Sequence, residues 1–347
     1  MRFAATGFVG ITLGAALGLL GACEYDARIS LNPPNWAAEP ASAVRAVGAC
    51  AAAEQISLAF ALVDDRGAPV VAGGELELAT GDSVVVGPAV LTVALASATL
   101  TPAAGGDITT LAAGAVAAPS FASAAGRLLA VVVEASSRSA EEDPDDERVR
   151  AAELAARDHL RVEGNRVAVY ALTRGVLDAR LPFSSAPDAV ASAIAAVAGV
   201  EGGDASVFDA VVGISADVRA ASTTGGAILF VGTSLVERGS QTTLDDARAT
   251  LAAAPPVQLF AVGFAVDTSV RSLACASSGG ARAAEAAAVA HAALDLAAAV
   301  SGVFVVRVPR PAGLAAGAWR FAGELEVGLA SSERRTIPFD LELDFDQ

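Results

Sequence analysis

The chain has 347 residues, of which 39 are acidic and 23 are basic, so its formal net charge is −16. A charge of this sign argues against nucleic acid and against direct adhesion to anionic lipid surfaces. The length suits two compact domains, or one domain with a sizeable accessory segment.

Residues 1–23 are typical of a targeting signal. Arg2 supplies the positive start, and the apolar stretch 8–20 is too short and too rich in glycine for a good membrane span. The closing sequence Leu-Gly-Ala-Cys resembles the lipobox of bacterial lipoproteins, which implies cleavage before Cys23 and attachment of fatty acyl chains to it. We therefore expect an exported bacterial cell-envelope protein, on the outer rather than the inner membrane, held there by lipid alone. The alternative is an ordinary secretory signal in which Cys23 occurs by chance.

Two further cysteines, Cys50 and Cys275, remain once Cys23 carries lipid. An even pair in an oxidising compartment predicts a disulfide that joins the N-terminal region to the later domain. Two buried free thiols are the alternative, because the sequence gives no distance between the side chains.

The composition divides the mature chain into four segments. Residues 24–54 hold several prolines and small residues, and we expect a tether with little regular structure. Residues 55–125 contain short alternating apolar runs between Gly and Pro turns, which predict a β-sandwich-like segment. Strands and helices alternate over 126–302, and residues 303–347 return to strands. We expect these last strands to pack with the N-terminal ones, so that both ends of the chain build the sandwich.

The alternating segment predicts an α/β fold with a doubly wound, Rossmann-like parallel sheet, because strand–helix units follow one another along it. The expected strands are 128–133, 166–172, an edge strand near 177–183, 227–231 and 257–263, and the expected helices are one ending near 162, 187–198, one from 207, 244–253, 270–276 and 283–300. The acidic run 141–146 precedes the first helix, where the helix dipole favours carboxylates. We expect a solvated helix entrance there, with metal binding as the alternative.

The end of the first expected strand carries the most specific pattern. A buried apolar run closes in Glu134, followed by Ser136 and Arg138. This arrangement resembles the first strand of von Willebrand factor type A domains, in which Asp-x-Ser-x-Ser holds a divalent cation that binds a carboxylate of a partner protein. The segments 202–210 and 273–280 also resemble segments of that family. The resemblance implies the doubly wound fold of the family and a role in protein–protein binding.

The family's metal-binding positions are altered in this chain. Glu134 stands in place of the first aspartate, Ala205 in place of the threonine, and Gly232 in place of the second aspartate. Glu134 and Ser136 remain as weak candidate ligands for Mg²⁺, which prefers several hard oxygen ligands. Arg138 would bring a positive charge into the site or pair with Glu134. The resemblance therefore implies a degenerate metal site, and we expect no cofactor.

Catalytic patterns are missing from the sequence. It contains no nucleophile–base pair, phosphate loop or dinucleotide fingerprint after a strand. His159 and His291 each lie on an expected helix without a matching ligand, so we expect surface or satisfied core histidines. We therefore expect a protein that is not an enzyme, although a hydrolase with an unrecognised site remains an alternative.

The resemblance implies a binding surface at the upper edge of the sheet. Its candidate residues are Glu134, Ser136, Arg138, Ser206 and Thr233. The expected partner is a protein of the cell envelope. Two alternatives stay open at this point: a structural envelope lipoprotein that keeps the fold as a relic, and a metal-dependent adhesin that uses Glu134 and Ser136.

Overall fold

The structure is a computed structural model, and every residue that it describes belongs to one compact unit, Pro40–Gln347. The described residues are 44–51, 55–62, 75–77, 83–85, 92–111, 118–119, 126–135, 141–173, 176–197, 206–301, 303–328 and 334–345. The predictions for the signal, the lipidated Cys23, Ser136, Arg138 and Ala205 therefore lie outside the described residues.

The secondary structure follows the expected order along the chain. The strands are β1 (Val44–Ala51), β2 (Gln55–Leu62), β3 (Glu75–Glu77), β4 (Ser83–Val85), β5 (Thr92–Pro102), β6 (Thr109–Leu111), β7 (Ala118–Pro119), β8 (Leu128–Glu134), β9 (Arg166–Thr173), β10 (Val176–Ser184), β11 (Gly226–Leu235), β12 (Val257–Val266), β13 (Gly280–Ala283), β14 (Val303–Pro309), β15 (Gly317–Gly328) and β16 (Arg334–Phe345). The helices are α1 (Glu147–His159), α2 (Pro187–Ala195), α3 (Val207–Ala221), α4 (Leu244–Ala252), α5 (Thr268–Ala276) and α6 (Ala286–Ser301).

A six-stranded sheet in the order β10-β9-β8-β11-β12-β13 forms the centre of the α/β part. All its neighbouring strands are parallel except β9 and the edge strand β10. The chain first builds outward from β8 in one direction and then crosses to β11 and builds in the other. The order therefore reverses between β8 and β11, where doubly wound sheets open a crevice for ligands. This confirms the expected fold class.

Burial on both faces explains why β8 is a continuous apolar run. Successive side chains of a strand point to opposite faces. Leu129, Val131 and Val133 pack into a core with α1, α2 and α6. Leu128 and Val132 pack into a second core with α3, α4 and α5. Burying each such side chain contributes about 1.5–3 kcal/mol, so the sheet is fixed from both sides.

Strands from both ends of the chain share two four-stranded sheets. One has the order β1-β2-β14-β7 and the other β16-β15-β5-β6. The C-terminal strands β14 and β15 pair antiparallel with β2 and β5 of the N-terminal part. That these sheets form a separate β-sandwich stays a prediction.

Two elements differ from the expectations. The strand β1 lies inside residues 24–54, which we expected to form a tether, and it pairs antiparallel with β2 from Val44 opposite Leu62 to Ala51 opposite Ile56. The sequence pattern did not predict this strand, because its residues are small and backbone pairing rather than large side chains defines it. The short strand β13 was not expected either. It pairs parallel with β12 at the edge of the six-stranded sheet.

His159 is the last residue of α1 and is completely buried. Its Nε2 lies 3.3 Å from the backbone oxygen of Arg127. Asn165 ties the same corner together, because it donates to the His159 oxygen and accepts from the Arg127 N–H, both at 2.9 Å. Burial lowers the pKa of His159 to about 4, against an ordinary value of 6.5. His159 is therefore a core histidine, with its Nε2 facing a backbone oxygen and its buried Nδ1 without a hydrogen-bond partner among the described residues.

The buried imidazole predicts a loss of stability at mildly acidic pH. The unfolded chain takes up this proton near pH 6.5, while the folded chain resists it until about pH 4. The contribution of His159 is therefore complete above pH 6.5 and is lost as the pH falls towards 4. Between pH 7 and pH 5 it amounts to about 2 kcal/mol. Urea titrations at the two pH values should show this difference, and His159→Gln should remove it.

The matched control is His291→Gln, at a half-buried position on α6. This variant should keep the pH dependence of the wild type. An equal change in the free energy of unfolding with pH in His159→Gln and in the wild type would contradict the assignment of this pH dependence to His159.

Candidate functional site

The candidate site lies where β8 and β11 part at their carboxyl ends. Their backbone ladder runs from Leu129 opposite Ala227 to Val133 opposite Val231 and then stops. Beyond it, β8 stays with β9, because Glu134 pairs with Leu172. This divergence lies at the position where doubly wound sheets usually open a crevice for ligands.

The side chain of Glu134 crosses this gap. Its Oε2 accepts three hydrogen bonds from the end of β11: from the Thr233 N–H at 2.7 Å, the Thr233 hydroxyl at 3.2 Å and the Ser234 N–H at 3.1 Å. Glu134 is 2% exposed and Thr233 is fully buried. A buried carboxylate needs several donors to offset the loss of water, and these three supply them.

Gly232 provides the space that the carboxylate fills. A Cβ atom at this position would lie 2.5 Å from the Glu134 Oε2, 2.8 Å from the Leu235 Cδ2 and 2.9 Å from the Glu134 Cβ. Such distances leave no room for any side chain at residue 232 while Glu134 keeps its conformation. The altered residues at the first and second aspartate positions of the resemblance therefore meet in space.

The described residues do not fit a divalent cation. The Oε2 of Glu134 is already engaged by three donors, and Gly232 offers no side-chain oxygen. In the part of the chain that the structure describes, His, Cys, Asp and Glu residues form no group of three able to hold a metal ion. Mg²⁺ requires several oxygen ligands in octahedral array, which this carboxylate alone does not offer.

A buried ion pair fixes the other side of Glu134. Arg148, on the first turn of α1, donates from Nε to the backbone oxygen of Glu134 at 2.9 Å and from Nη1 to Asp143 at 2.8 Å. Asp143 also accepts from the N–H groups of Glu147 and Arg148 at 2.8 and 3.0 Å. The acidic run before α1 is therefore only partly the solvated entrance that we expected. Asp143 can be buried because its carboxylate accepts hydrogen bonds from the N–H groups of the first turn and from a guanidinium.

A second group of carboxylates organises the loop between β11 and α4. Glu237 accepts from the Phe208 N–H, on the first turn of α3, at 2.9 Å and from the Ser240 N–H at 3.1 Å. Its own N–H donates to Asp267 at 2.8 Å. The hydroxyl of Ser206 donates to the backbone oxygen of Arg238 at 3.3 Å. The loop is thereby held against the start of α3, where the dipole of the helix favours a carboxylate.

Asp209 completes this loop anchor. It accepts from the N–H groups of Gln241 at 3.0 Å and Thr242 at 2.9 Å. A hydrogen bond from the Thr242 side chain, with those from the backbone of both residues, holds the pKa of Asp209 below its ordinary value. Glu237 was not among the candidates from the sequence, because its partner Phe208 lies 29 residues away along the chain.

The predicted site residues lie at the expected edge, but not as a surface. Glu134, Ser206 and Thr233 are at most 6% exposed, so none of them presents its side chain to a partner. Glu134 and Thr233 contact each other, while Ser206 bonds the loop at Arg238. The expectation of direct partner contact by these three side chains is therefore corrected: their polar atoms are used inside the protein.

Comparisons with known proteins give structural matches only. No family model matches the chain, and no curated protein matches it. Proximal thread matrix protein 1 from the mussel byssus is 16% identical, with a TM-score of 0.43 over 54% of this chain and 48% of that one. The chain thus spans about half of the mussel protein. A von Willebrand factor type A protein from Catenulispora acidiphila is 11% identical, with a TM-score of 0.42 over 74% of each chain.

An aerotolerance-related membrane protein from Bacteroides fragilis is 12% identical, with a TM-score of 0.39 over 50% of this chain and 98% of that one. Similarity at this level assigns no family and no activity. The α/β fold rests on the sheet order and the helices of the chain itself. Among the described residues, no helix combines the length and the apolar character needed to cross a bilayer.

The buried guanidinium of Arg148 predicts a large cost of its removal. Arg148→Ala would leave Asp143 buried without its counter-ion and the Glu134 carbonyl without its donor. We expect the free energy of unfolding to fall by about 3–5 kcal/mol, as for other broken buried ion pairs. Urea denaturation followed by circular dichroism measures this change.

Arg150→Ala is the matched control, because Arg150 lies on the same helix with 48% of its side chain exposed and pairs with Glu147 at 3.6 Å. Its cost should stay within about 0.5 kcal/mol. Similar costs for the two variants would show that the buried pair does not stabilise the start of α1.

Proposed function

We propose that this chain is a lipid-anchored protein of the bacterial cell envelope that binds a protein partner through its α/β domain, without a metal ion. The observation that carries the proposal is the internally bonded carboxylate of Glu134 at the crevice between β8 and β11. This crevice is the usual ligand position of a doubly wound sheet. Here it is filled by the protein itself, which favours recognition by the rim around it.

The chemistry of the described residues supports binding rather than catalysis. In the described part of the chain, His159 is enclosed in the core beside Arg127, so it has no access to a substrate. In the proposed bridge to Cys50, Cys275 would offer no thiolate nucleophile. The carboxylates of Glu134, Glu237 and Asp209 all accept backbone N–H groups. Groups engaged in this way are poor general bases. We therefore propose that the protein is not an enzyme.

The partner surface is proposed to lie on the segment that follows β8. Ser136 and Arg138 come directly after the buried Glu134 in the sequence. A guanidinium suits a carboxylate of the partner, because it binds such groups in bidentate fashion. A metal ion would then be unnecessary for the contact.

The anchor and the disulfide belong to the same proposal. Lipid attached to Cys23 would hold the domain at the membrane, with no spanning helix required. The proposed bridge between Cys50 and Cys275 is supported by neighbouring elements, because β1, which carries Cys50, contacts both α5 and β13. Such a bridge would fasten the N-terminal strand to the α/β part.

A structural envelope lipoprotein is the second candidate function. The burial of Glu134, Ser206 and Thr233 favours it, since a domain kept only as a scaffold has no need of an open polar edge. The two candidates differ in whether a substitution at the rim changes the binding of a partner.

The proposal predicts partner capture that is independent of metal. The full-length protein, used as bait in envelope membranes and crosslinked, should retain the same partner in Mg²⁺ and in EDTA. Arg138→Ala should reduce the captured amount about tenfold, as expected for an arginine at the centre of an interface. Quantitative mass spectrometry of the crosslinked species measures this.

Arg157→Ala is the control, because Arg157 lies on α1 and pairs with Glu153 of the same helix. It should capture as much partner as the wild type. Capture that disappears in EDTA would favour the metal-dependent adhesin. Capture unaffected by Arg138→Ala but lost after substitutions on another face would favour the structural lipoprotein.

A further inference from the structure

We propose that Glu134 and Gly232 form a built-in carboxylate clasp that joins β8 to β11 and makes the crevice independent of divalent cations. The clasp consists of Glu134, Gly232, Thr233 and Ser234. The inference rests on the metal-free site of the proposed function and adds the device that makes the metal unnecessary.

The backbone ladder between β8 and β11 ends before the two strands do. Pairing between β8 and β11 ends at Val133 and Val231. Further along β11, the N–H groups of Thr233 and Ser234 both donate to the Glu134 side chain. The carboxylate thus continues the ladder at the point where the backbones separate. Without it, two amides at this edge would lose their acceptor, at a cost of desolvation for each.

The glycine at residue 232 complements the glutamate at residue 134. A Cβ there would approach the Glu134 Oε2 to 2.5 Å, and the main-chain amides of Thr233 and Ser234 follow immediately in the sequence. The longer side chain of glutamate and the missing side chain of glycine therefore depend on each other. One carboxylate, supplied by β8, takes the volume in which β11 could otherwise place a side chain of its own.

Hydrogen bonds from backbone N–H groups to carboxylates continue along the same edge of the sheet. The N–H of Asp267 donates to the oxygen of Leu235, three residues after Gly232, at 3.1 Å. Asp267 accepts from the Glu237 N–H at 2.8 Å, and Glu237 in turn accepts from the Phe208 N–H at 2.9 Å. Each carboxylate in this row therefore has backbone N–H groups as hydrogen-bond donors, which stabilise its charged form without a metal ion.

Amide hydrogen exchange of the full-length protein tests the clasp directly. In Glu134→Ala, exchange at Thr233 and Ser234 should accelerate roughly 10- to 100-fold, as expected for the loss of hydrogen bonds to a charged acceptor. The amide of Leu229, in the middle of β11, is the internal reference. Glu134→Gln keeps an acceptor oxygen and should keep most of the protection. Unchanged exchange at Thr233 and Ser234 in Glu134→Ala would overturn the proposal.

A double-mutant cycle tests the dependence of the two positions on each other. Gly232→Ala should lower the melting temperature clearly in the wild-type background and less in the Glu134→Ala background, because the closest atom is then gone. Gly226→Ala is the matched control on the same strand. Its Cβ would meet the Leu128 oxygen at 2.8 Å and the Val218 Cγ1 at 2.9 Å rather than Glu134. Its effect should be equal in both backgrounds, and equal effects for Gly232→Ala as well would overturn the coupling.

Metal addition completes the test. Titration of Mg²⁺ or Mn²⁺ into the wild type should leave the melting temperature and the exchange of Thr233 and Ser234 unchanged. A rise in melting temperature that is absent in Glu134→Ala would overturn the clasp and restore a metal site. These measurements need no partner, so failure of the proposed binding function would leave their outcome unaffected.

Discussion

The hydrogen bonds from the end of β11 to the Glu134 carboxylate connect the two halves of the central sheet at the point where their backbones separate. A doubly wound sheet must change direction once, and the two strands at this change are paired only up to the divergence of their connections. In this protein the ladder stops at Val133 and Val231, and a side chain takes over. The physical constraint behind it is that a buried carboxylate requires donors and buried amides require an acceptor.

The surrounding polar groups are arranged to keep Glu134 in place. The Arg148 guanidinium holds its backbone oxygen from the side of α1 and is itself neutralised by Asp143. On the other side, Asp267 and Glu237 fasten the loop that follows β11 to the start of α3. The apolar layers below supply most of the stability, while these few bonds fix the geometry of the edge. The apolar packing and the hydrogen bonds are both needed, because the hydrophobic effect has no directional preference.

This arrangement bears on function because it removes the open polar crevice at which ligands of this fold class usually bind. A partner would have to recognise the rim, and Arg138 is the first charged residue after β8 in the sequence. The same closed crevice suits a scaffold without a partner. What separates the two functions is the chemistry of the rim, since the interior of the site is identical in both.

Much of the fold followed from local patterns. The apolar run of β8, the edge strand β10 and the helices on either side are recorded in hydrophobic periodicity, which depends on each residue and its neighbours in sequence. The position of Glu134 at a strand end was evident for the same reason. Strand β1 was missed, because small residues paired through their backbones carry little periodic signal.

The sequence by itself determined the order of most strands and helices, and its resemblance implied altered residues at Glu134 and Gly232. Only the tertiary structure decided that these two positions meet in space. Glu134 meets the Thr233 N–H across 99 positions of sequence, and the space that it fills exists because Gly232 has no side chain. Hydrogen-bond partners and excluded volume are set by which strands become neighbours, and no local pattern records that choice. From the sequence, the Glu134 carboxylate was a weak candidate metal ligand. In the folded protein it accepts the hydrogen bonds that connect β11 to β8.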